Sequence, residues 1–150
     1  MKSIVSDAAN TTITLGPWPT QRTHAEPIRR AVFCVEQCIP ESEEWDEWDA
    51  RSVHAVAFDV AGKAIGTGRL KPDQMIGRMA VLQAVRGTGV GVALLDRLVE
   101  KARQMGFLTV SLNAQCVAQG FYERAGFVAE DAVFSEADIP HVLMRKALTI

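Results

Sequence analysis

Residues 76–91 read IGRMAVLQAVRGTGVG, and this stretch indicates the class of fold. Its first half, 76–82, is a short apolar run typical of a buried strand, and three glycines follow within residues 86–91. Beyond the glycines, apolar side chains recur at helical spacing and polar side chains occupy the other side of the helix. The apolar stripe consists of Leu94, Leu95, Leu98, Val99 and Ala102. The sequence therefore predicts a strand, a glycine loop and an amphipathic helix that ends near Gly106.

The glycine loop predicts a phosphate-binding site. Closely spaced glycines let the backbone approach a ligand, and the start of a helix presents unpaired N–H groups and the positive end of its dipole. The sequence motifs of two well-known phosphate-binding loops do not match this segment. The nucleotide-hydrolase loop needs Gly-Lys-Ser/Thr, but Gly62-Lys63 is followed by Ala64. The dinucleotide loop needs a glycine where Val92 stands.

The rest of the chain alternates short strand-like and helix-like segments, without an internal repeat or a linker. The first helix starts either at Thr23, which fits a Thr-x-x-Glu capping pattern, or at Pro27, and ends near Gln37. A second short helix is predicted at 117–125, with Gly126 ending it. Strands are predicted at 11–15, 53–60, 64–70, 76–82, 107–113, 127–134 and 141–148. The order is β α β β β α β α β β, which indicates a mixed α/β sheet.

Composition narrows the class of protein. The chain has 150 residues, of which 48% are hydrophobic, and this length buries roughly 70% of the surface that the unfolded chain exposes. We therefore expect one domain over residues 1–150, with reduced cysteines and no metal. The balance of 16 basic and 18 acidic residues gives no general reason to bind nucleic acid or a membrane. No apolar run approaches the roughly 20 residues of a membrane span and no signal peptide is apparent, so we expect a cytoplasmic protein.

Two motifs carry a resemblance to a known family. Arg86-x-x-Gly89-x-Gly91, between a strand and a helix, resembles the Arg/Gln-x-x-Gly-x-Gly/Ala signature of the GNAT superfamily of acyl-CoA-dependent N-acetyltransferases. Residues 121–127 are similar to the Phe-Tyr-x-x-x-Gly-Phe pattern that the family carries further along the chain. Segments 32–37, 66–70 and 139–144 resemble the ElaA-like subgroup of small bacterial members. The resemblance implies an α/β (α+β) GNAT fold, with a mixed, mostly antiparallel sheet of six to seven strands flanked by about four helices.

The resemblance also implies an activity and a cosubstrate. It implies transfer of the acetyl group of acetyl-CoA to a primary amine, of a small molecule in the first instance, by direct attack in a ternary complex. Tyr122 stands where the family has the acid that protonates the leaving thiolate. The residues implied in binding acetyl-CoA are Met79, Ala80, Val81, Arg86, Gly87, Thr88, Gly89, Val90, Gly91 and Asn113. No metal is implied, and a homodimer is compatible with the family.

The acceptor site is less defined by the sequence. Residues 41–49 contain six acids and two tryptophans, and they fit either a solvated loop or a wall that attracts a cationic amine. The residues that we assign to acceptor binding are Glu36, Gln37, Arg69 and His141.

The general base also stays open. Many family members carry an acid on the strand before the arginine loop, but residues 75–79 here read MIGRM. The candidates for the base are Glu36, Glu44, Asp46, His54 and His141. Because that strand lacks an acid, an acyl-CoA binding or sensing protein without turnover is the alternative function.

Overall fold

A computed structural model describes residues 10–130 and 132–148 of the chain. Eight strands and four helices follow one another in these ranges, together with short 3-10 turns. The strands are β1 (Thr12–Gly16), β2 (Val53–Phe58), β3 (Ala64–Leu70), β4 (Met75–Val81), β5 (Thr109–Gln115), β6 (Val128–Ala129), β7 (Phe134–Glu136) and β8 (Ile139–Ala147). The helices are α1 (Trp18–Arg29), which continues as a π-helical segment (Arg30–Glu36), α2 (Glu41–Glu44), α3 (Val90–Gln104) and α4 (Gln119–Arg124).

The strands form one open, mixed sheet. Along it the strands run in the order β1-β2-β3-β4-β5-β8-β6, and β7 also pairs with β8. Within the described ranges β4 and β5 are the one parallel pair, and the other pairs are antiparallel. The predicted mixed, mostly antiparallel α/β fold is confirmed. The described strands number eight, not six to seven, because the segment predicted as one strand at 127–134 divides into β6 and β7, which both pair with β8.

Helices cover both faces of the sheet. The predicted stripe of α3 is confirmed, since Leu94 and Leu98 have no exposed surface and belong to the main hydrophobic core. Ala80 packs instead with Ile28 and other side chains of α1, whereas its neighbour Met79 packs against the α3 side. Because successive strand residues point to opposite faces, α1 and α3 lie on opposite sides of β4.

The start of the first helix was predicted wrongly. It begins at Trp18, preceded by Pro17 in extended conformation, rather than at Thr23 or Pro27. Pro19 lies in the first turn, where a residue without an N–H group is tolerated. Pro27 lies inside the helix, which therefore lacks one hydrogen bond there, and the π-helical segment begins three residues later.

The acidic stretch 41–49 is not a solvated loop. It forms α2 and most of a 3-10 turn (Glu47–Arg51), and Glu44 and Asp49 are buried. Arg29, only 1% exposed, bonds Glu44 Oε2 and Asp49 Oδ1, each at 2.8 Å. Arg69 and Arg78 extend this buried ion cluster to Asp46. The cluster ties α1 to the acidic stretch and to the sheet.

Candidate active site

A cleft opens in the sheet where two neighbouring strands part. The parallel strands β4 and β5 pair only at Met75–Ser111 and Ile76–Leu112. Beyond these pairs the strands separate, and a cleft of about 730 Å³ lies between them. Residues 77–81 line one side, and Asn113 and Gln115 line the other. Because the facing edges are no longer paired with each other, their backbone N–H and C=O groups are available to a ligand.

A β-bulge shapes the β4 side of the cleft. Arg69 pairs with Gly77 and Thr67 with Ala80, so Gly68 of β3 faces two residues of β4. One of these two, Arg78, has a φ of 51°, which is uncommon for a residue with a side chain. A bulge bends and twists the strand that contains it, so it turns the residues that follow toward a new direction.

The predicted phosphate loop lies just beyond one end of the cleft. Gly87 and Gly89 have φ angles of 81° and 95°, which favour glycine. Thr88 Oγ1 donates to Val85 O at 2.6 Å and thereby closes the turn. Gly89 caps α3 without a side-chain hydrogen bond, so the N–H groups of the first helical turn have no side-chain acceptor. This arrangement fits an anion.

Gly91 allows close packing at the start of α3. A Cβ atom there would lie 3.3 Å from the ring of Phe121. The glycine therefore brings the start of the helix close to the segment that carries Tyr122.

Arg86 lies at the same end of the cleft, but its side chain is already bound. Its Nε donates to Val81 O at 2.9 Å, and its two terminal nitrogens donate to the carboxylate of Glu36 at 2.5 and 2.7 Å. The hydrogen bond from Arg86 holds the pKa of Glu36 below its usual value, and the same bond raises the pKa of Arg86. Glu36, which we assigned to acceptor binding, is not among the residues that line the cleft and lies against Arg86 at the start of the glycine loop.

Tyr122 lies on α4 and lines the cleft between the strands. Its ring packs edge-on against Phe121 and Phe127, with centroid distances of 5.0 and 6.1 Å. Among the described residues its hydroxyl has no hydrogen-bond partner. Burial raises the pKa of Tyr122 to about 12, so the phenol is protonated at neutral pH.

The other predicted acceptor residues, Gln37, Arg69 and His141, meet in the cleft. Gln37, at the end of the π-helical segment, exchanges two amide hydrogen bonds with Gln115 of β5, at 2.9 and 3.4 Å. This pair joins the helix that covers β4 to the far wall of the cleft. His141 of β8 stands opposite Gln115 in the sheet.

Comparison with known proteins agrees with this geometry. The acetyltransferase (GNAT) domain family matches residues 19–148. The chain belongs to the GNAT family. It is 37% identical to the uncharacterized N-acetyltransferase YjcF of Bacillus subtilis, over 79% of this chain and 87% of that protein. It is 31% identical to the Escherichia coli protein ElaA, over 79% of this chain and 82% of ElaA.

Solved structures of GNAT proteins have the same fold. An acyl-CoA N-acyltransferase from Pseudomonas aeruginosa superposes with a TM-score of 0.81 at 31% identity, covering 91% of this chain and 99% of that one. The crystal structure of E. coli ElaA superposes with a TM-score of 0.80 at 28% identity, covering 90% of this chain and 99% of ElaA. The resemblance to the ElaA-like subgroup of the GNAT family is therefore confirmed.

The acidic stretch forms part of the GNAT cleft, but its charges and rings are largely engaged. Glu43, Glu44, Asp46 and Trp48 line the cleft. Cationic side chains already contact both indole rings of the stretch. The contacts are Arg29 and Arg30 on Trp45, and Arg51 and Lys71 on Trp48, at 4.6–5.2 Å from the ring centroids. Both indole rings that an amine-attracting wall would use therefore already face cationic side chains of the protein.

Four of the five candidate bases are poorly placed or engaged. Glu36 is bound to Arg86, and His54 is buried with its Nε2 2.8 Å from Asp49 O, outside the cleft lining. Burial lowers the pKa of His54, so it is neutral and structural. Glu44 and Asp46 line the cleft but belong to the ion cluster.

The pKa values of Glu44 and Asp46 are shifted in opposite directions. Burial raises the pKa of Glu44, even though Arg78 and Arg29 work to lower it. Burial also acts on Asp46, but the hydrogen bond and charge of Arg69 outweigh it and hold the pKa of Asp46 below its usual value. The fifth candidate, His141, lines the cleft and has no ion-pair partner among the described residues.

Three parts of the site were not predicted. The burial of Arg29 has no local signal, because it depends on carboxylates 15 and 20 residues further along the chain. Gln115 and the bulge at Arg78 have no local signal, because an amide partner 78 residues away and a positive φ depend on the whole sheet. Within residues 10–130 and 132–148, no group of three His, Cys, Asp or Glu side chains could hold a metal ion, and no helix is long and apolar enough to cross a membrane.

Proposed function

We propose that this GNAT protein transfers the acetyl group of acetyl-CoA to the primary amine of a small molecule, by direct attack in a ternary complex. The observation that carries the proposal is a single cleft with an uncapped helix start beyond one end and the protonated phenol of Tyr122 on its wall. An acyl-CoA is a long molecule that carries a pyrophosphate and, further along, a thioester. The helix start fits the pyrophosphate, and the phenol fits the sulfur that leaves the thioester.

The binding residues follow from the shape of the cleft. The N–H groups of Thr88 to Gly91, with the dipole of α3, would hold the pyrophosphate. The pantetheine arm contains two amide groups, and the edge of β4 at Met79, Ala80 and Val81, which is not paired with β5, offers them a strand to pair with. Asn113 on the facing strand would contact the same arm.

The chemical step balances with one acid and one base. A base takes a proton from the ammonium ion, and the neutral nitrogen attacks the thioester carbonyl, so that an N–C bond forms and the C–S bond breaks. Tyr122 gives its proton to the departing sulfur and regains one from the nitrogen. The sum is an amide, the CoA thiol and one released proton. Burial that raises the pKa of Tyr122 would also raise that of a thiol formed beside it, which keeps the two groups matched.

The acceptor end favours a cationic molecule. The arginines of the buried ion cluster, Arg29, Arg69 and Arg78, balance its acids Glu44, Asp46 and Asp49. Glu43 and Glu136 also line the cleft, and neither has a partner among the described residues. The other two cations of the lining, Lys71 and Arg86, are paired with Asp73 and Glu36, so the carboxylates of Glu43 and Glu136 are the ones left for a cationic acceptor. We further propose that the chain acts as a single GNAT domain in the cytoplasm.

The test is release of free thiol from acetyl-CoA across a panel of primary amines. Wild-type protein should release thiol with at least one amine, and Tyr122→Phe should lower kcat by about 100-fold or more while the Kd for CoA stays the same. CoA at 100 times its Kd should stabilise the fold by about 2.7 kcal/mol, which raises Tm by roughly 5–10 °C in both proteins.

Two results would contradict the proposal. An unchanged Tm at millimolar CoA would reject the cosubstrate. CoA binding without thiol release on any amine would instead support the non-catalytic acyl-CoA binding protein.

A further inference from the structure

We propose that His141 is the base that accepts the proton of the acceptor amine, through its Nε2 atom. This inference rests on the proposed function. It starts from the position of the residue, since His141 lies on β8 at the wall of the cleft that also contains Tyr122.

The β7–β8 hairpin holds the imidazole ring in place. The two turn residues, Ala137 and Asp138, have φ angles of 53° and 61°, as a tight two-residue hairpin requires. The hairpin brings Phe134 opposite His141, and their rings stack with centroids 5.9 Å apart at 25°. A stacked ring on a short hairpin has little freedom to rotate away from the cleft.

One hydrogen bond fixes the tautomer. Nδ1 of His141 lies 2.6 Å from Ile139 O, and a carbonyl oxygen can only accept, so Nδ1 carries the proton. Nε2 of the neutral ring then has a free lone pair. This is the arrangement that a base needs, because the second nitrogen is oriented by the bond that the first one makes.

Nε2 also faces the cleft. Among the described residues, Arg69 Nε is the one fully buried side-chain nitrogen or oxygen without a hydrogen-bond partner. Nε2 of His141 has no partner either, so it must keep contact with solvent. The residue as a whole is buried and lines the cleft, so that contact is on the cleft side.

The elements packed around His141 differ in the titratable groups that they carry. On β5 the opposite residue is Gln115, and that strand has no titratable side chain. The titratable groups on the other elements packed around His141 are Glu136 of β7, Asp138 of the turn, Cys116 of the following 3-10 turn, and Arg145 and Lys146 further along β8. Glu136 lines the cleft and would stabilise the imidazolium that forms.

The proton path is short and balanced. The ammonium ion of the acceptor gives one proton to Nε2, and the neutral amine attacks the thioester. The imidazolium then releases this proton to solvent through the open cleft. His141 and Tyr122 thus act on different protons, one from the nucleophile and one to the leaving sulfur.

The test compares His141→Asn with wild type in the thiol-release assay. Asparagine keeps a donor at the position of Nδ1, so the bond to Ile139 O survives, but it has no group at Nε2. His24→Asn, on α1 and outside the cleft lining, is the matched control. The two acceptor probes are 2-phenylethylamine, an ammonium ion at pH 7, and aniline, which is neutral there.

With 2-phenylethylamine at pH 7 we expect His141→Asn to lower kcat/KM by about 100-fold or more, with the Kd for CoA unchanged. The acid limb of the wild-type pH profile of kcat/KM should disappear in His141→Asn, because the group that must lose its proton is then absent. Free imidazole should restore part of the activity, and the loss with aniline should be much smaller. His24→Asn should behave as wild type.

Equal losses with both amines, or an acid limb that persists in His141→Asn, would overturn the role of His141 and leave the proposed function standing. Absence of thiol release by wild-type protein with any amine would instead overturn the proposed function. Nitrogen NMR of the imidazole decides the tautomer without any acceptor. A proton on Nε2 rather than Nδ1 would refute the proposal.

Discussion

Tyr122 provides a test that needs neither acetyl-CoA nor an acceptor. It is the one tyrosine in the 150-residue chain, so the absorbance change of tyrosine ionisation reports this residue alone. Burial against Phe121 and Phe127 raises its pKa to about 12 from the usual value of about 10. We therefore expect the folded protein to ionise at much higher pH than an exposed tyrosine.

The magnitude follows from the two pKa values. At pH 11 about one tenth of Tyr122 should be ionised in the folded protein, against about nine tenths in the unfolded chain. Below pH 10 both states are protonated and the residue does not affect stability. Above it the unfolded state loses the proton first, so the free energy of unfolding falls as pH rises, by about 3 kcal/mol once both states are ionised.

The assay is a near-ultraviolet titration from pH 8 to 12, with circular dichroism at each step to establish that the protein is folded. Urea-unfolded protein should titrate with a midpoint near 10, and Tyr122→Phe should give no signal. A midpoint near 10 while the protein is still folded would refute the burial of the phenol.

Two further predictions concern ion pairs of different burial. Arg29→Met should cost about 3–5 kcal/mol and lower Tm by roughly 6–20 °C, because Glu44 keeps Arg78 and Asp49 keeps Arg69 but the buried cluster is left with an excess negative charge, whereas Arg22→Met, on the same helix with an arginine 60% exposed, should cost less than about 1 kcal/mol. The loss of stability in Arg29→Met should be smaller at pH 5 than at pH 7, because burial already raises the pKa of Glu44 and its protonation removes the excess negative charge. Equal losses in thermal melts of Arg29→Met and Arg22→Met would contradict the role of burial. Glu36→Gln should change Tm little, since the pair is 36–39% exposed, and should lower the Kd for CoA in calorimetric titrations by removing a negative charge beside the phosphate loop and releasing Arg86; weaker CoA binding would contradict this.

The parts of the fold that were predicted depend on short-range patterns. The stripe of α3 and the glycines before it repeat at fixed spacing, so they indicate a strand, a loop and a helix without knowledge of their neighbours. The first helix was displaced because Thr23 and Pro27 both carry local start signals, whereas packing of its face on the sheet extended it to Trp18. The segment 127–134 was predicted as one strand for a similar reason. The pairing of β6 and β7 with different parts of β8 cannot be inferred from the residues of β6 and β7 alone.

The sequence predicted most directly the part of the candidate site that lies within a motif. The loop from Arg86 to Gly91 and Tyr122 could be named because the motif resembles a family signature. On the acceptor side the sequence named Gln37, Arg69 and His141, which line the cleft, but it could not sort the acids, because a carboxylate free to bind an amine and one bound to a buried arginine are identical in sequence. The partners of Glu36 and Glu44, and hence the protonation of both groups, follow from contacts between distant segments.

The sequence by itself determined the family, the glycine loop and the position of the one tyrosine. These depend on residue types at fixed spacing along one segment. The tertiary structure decided that β4 and β5 part to form the cleft, that three arginines pair with the acids of the cluster, and that His141 lines the cleft with its Nδ1 against Ile139 O. The physical reason is that register, burial and charge pairing are set by segments far apart in the chain, and these in turn set which groups can exchange a proton.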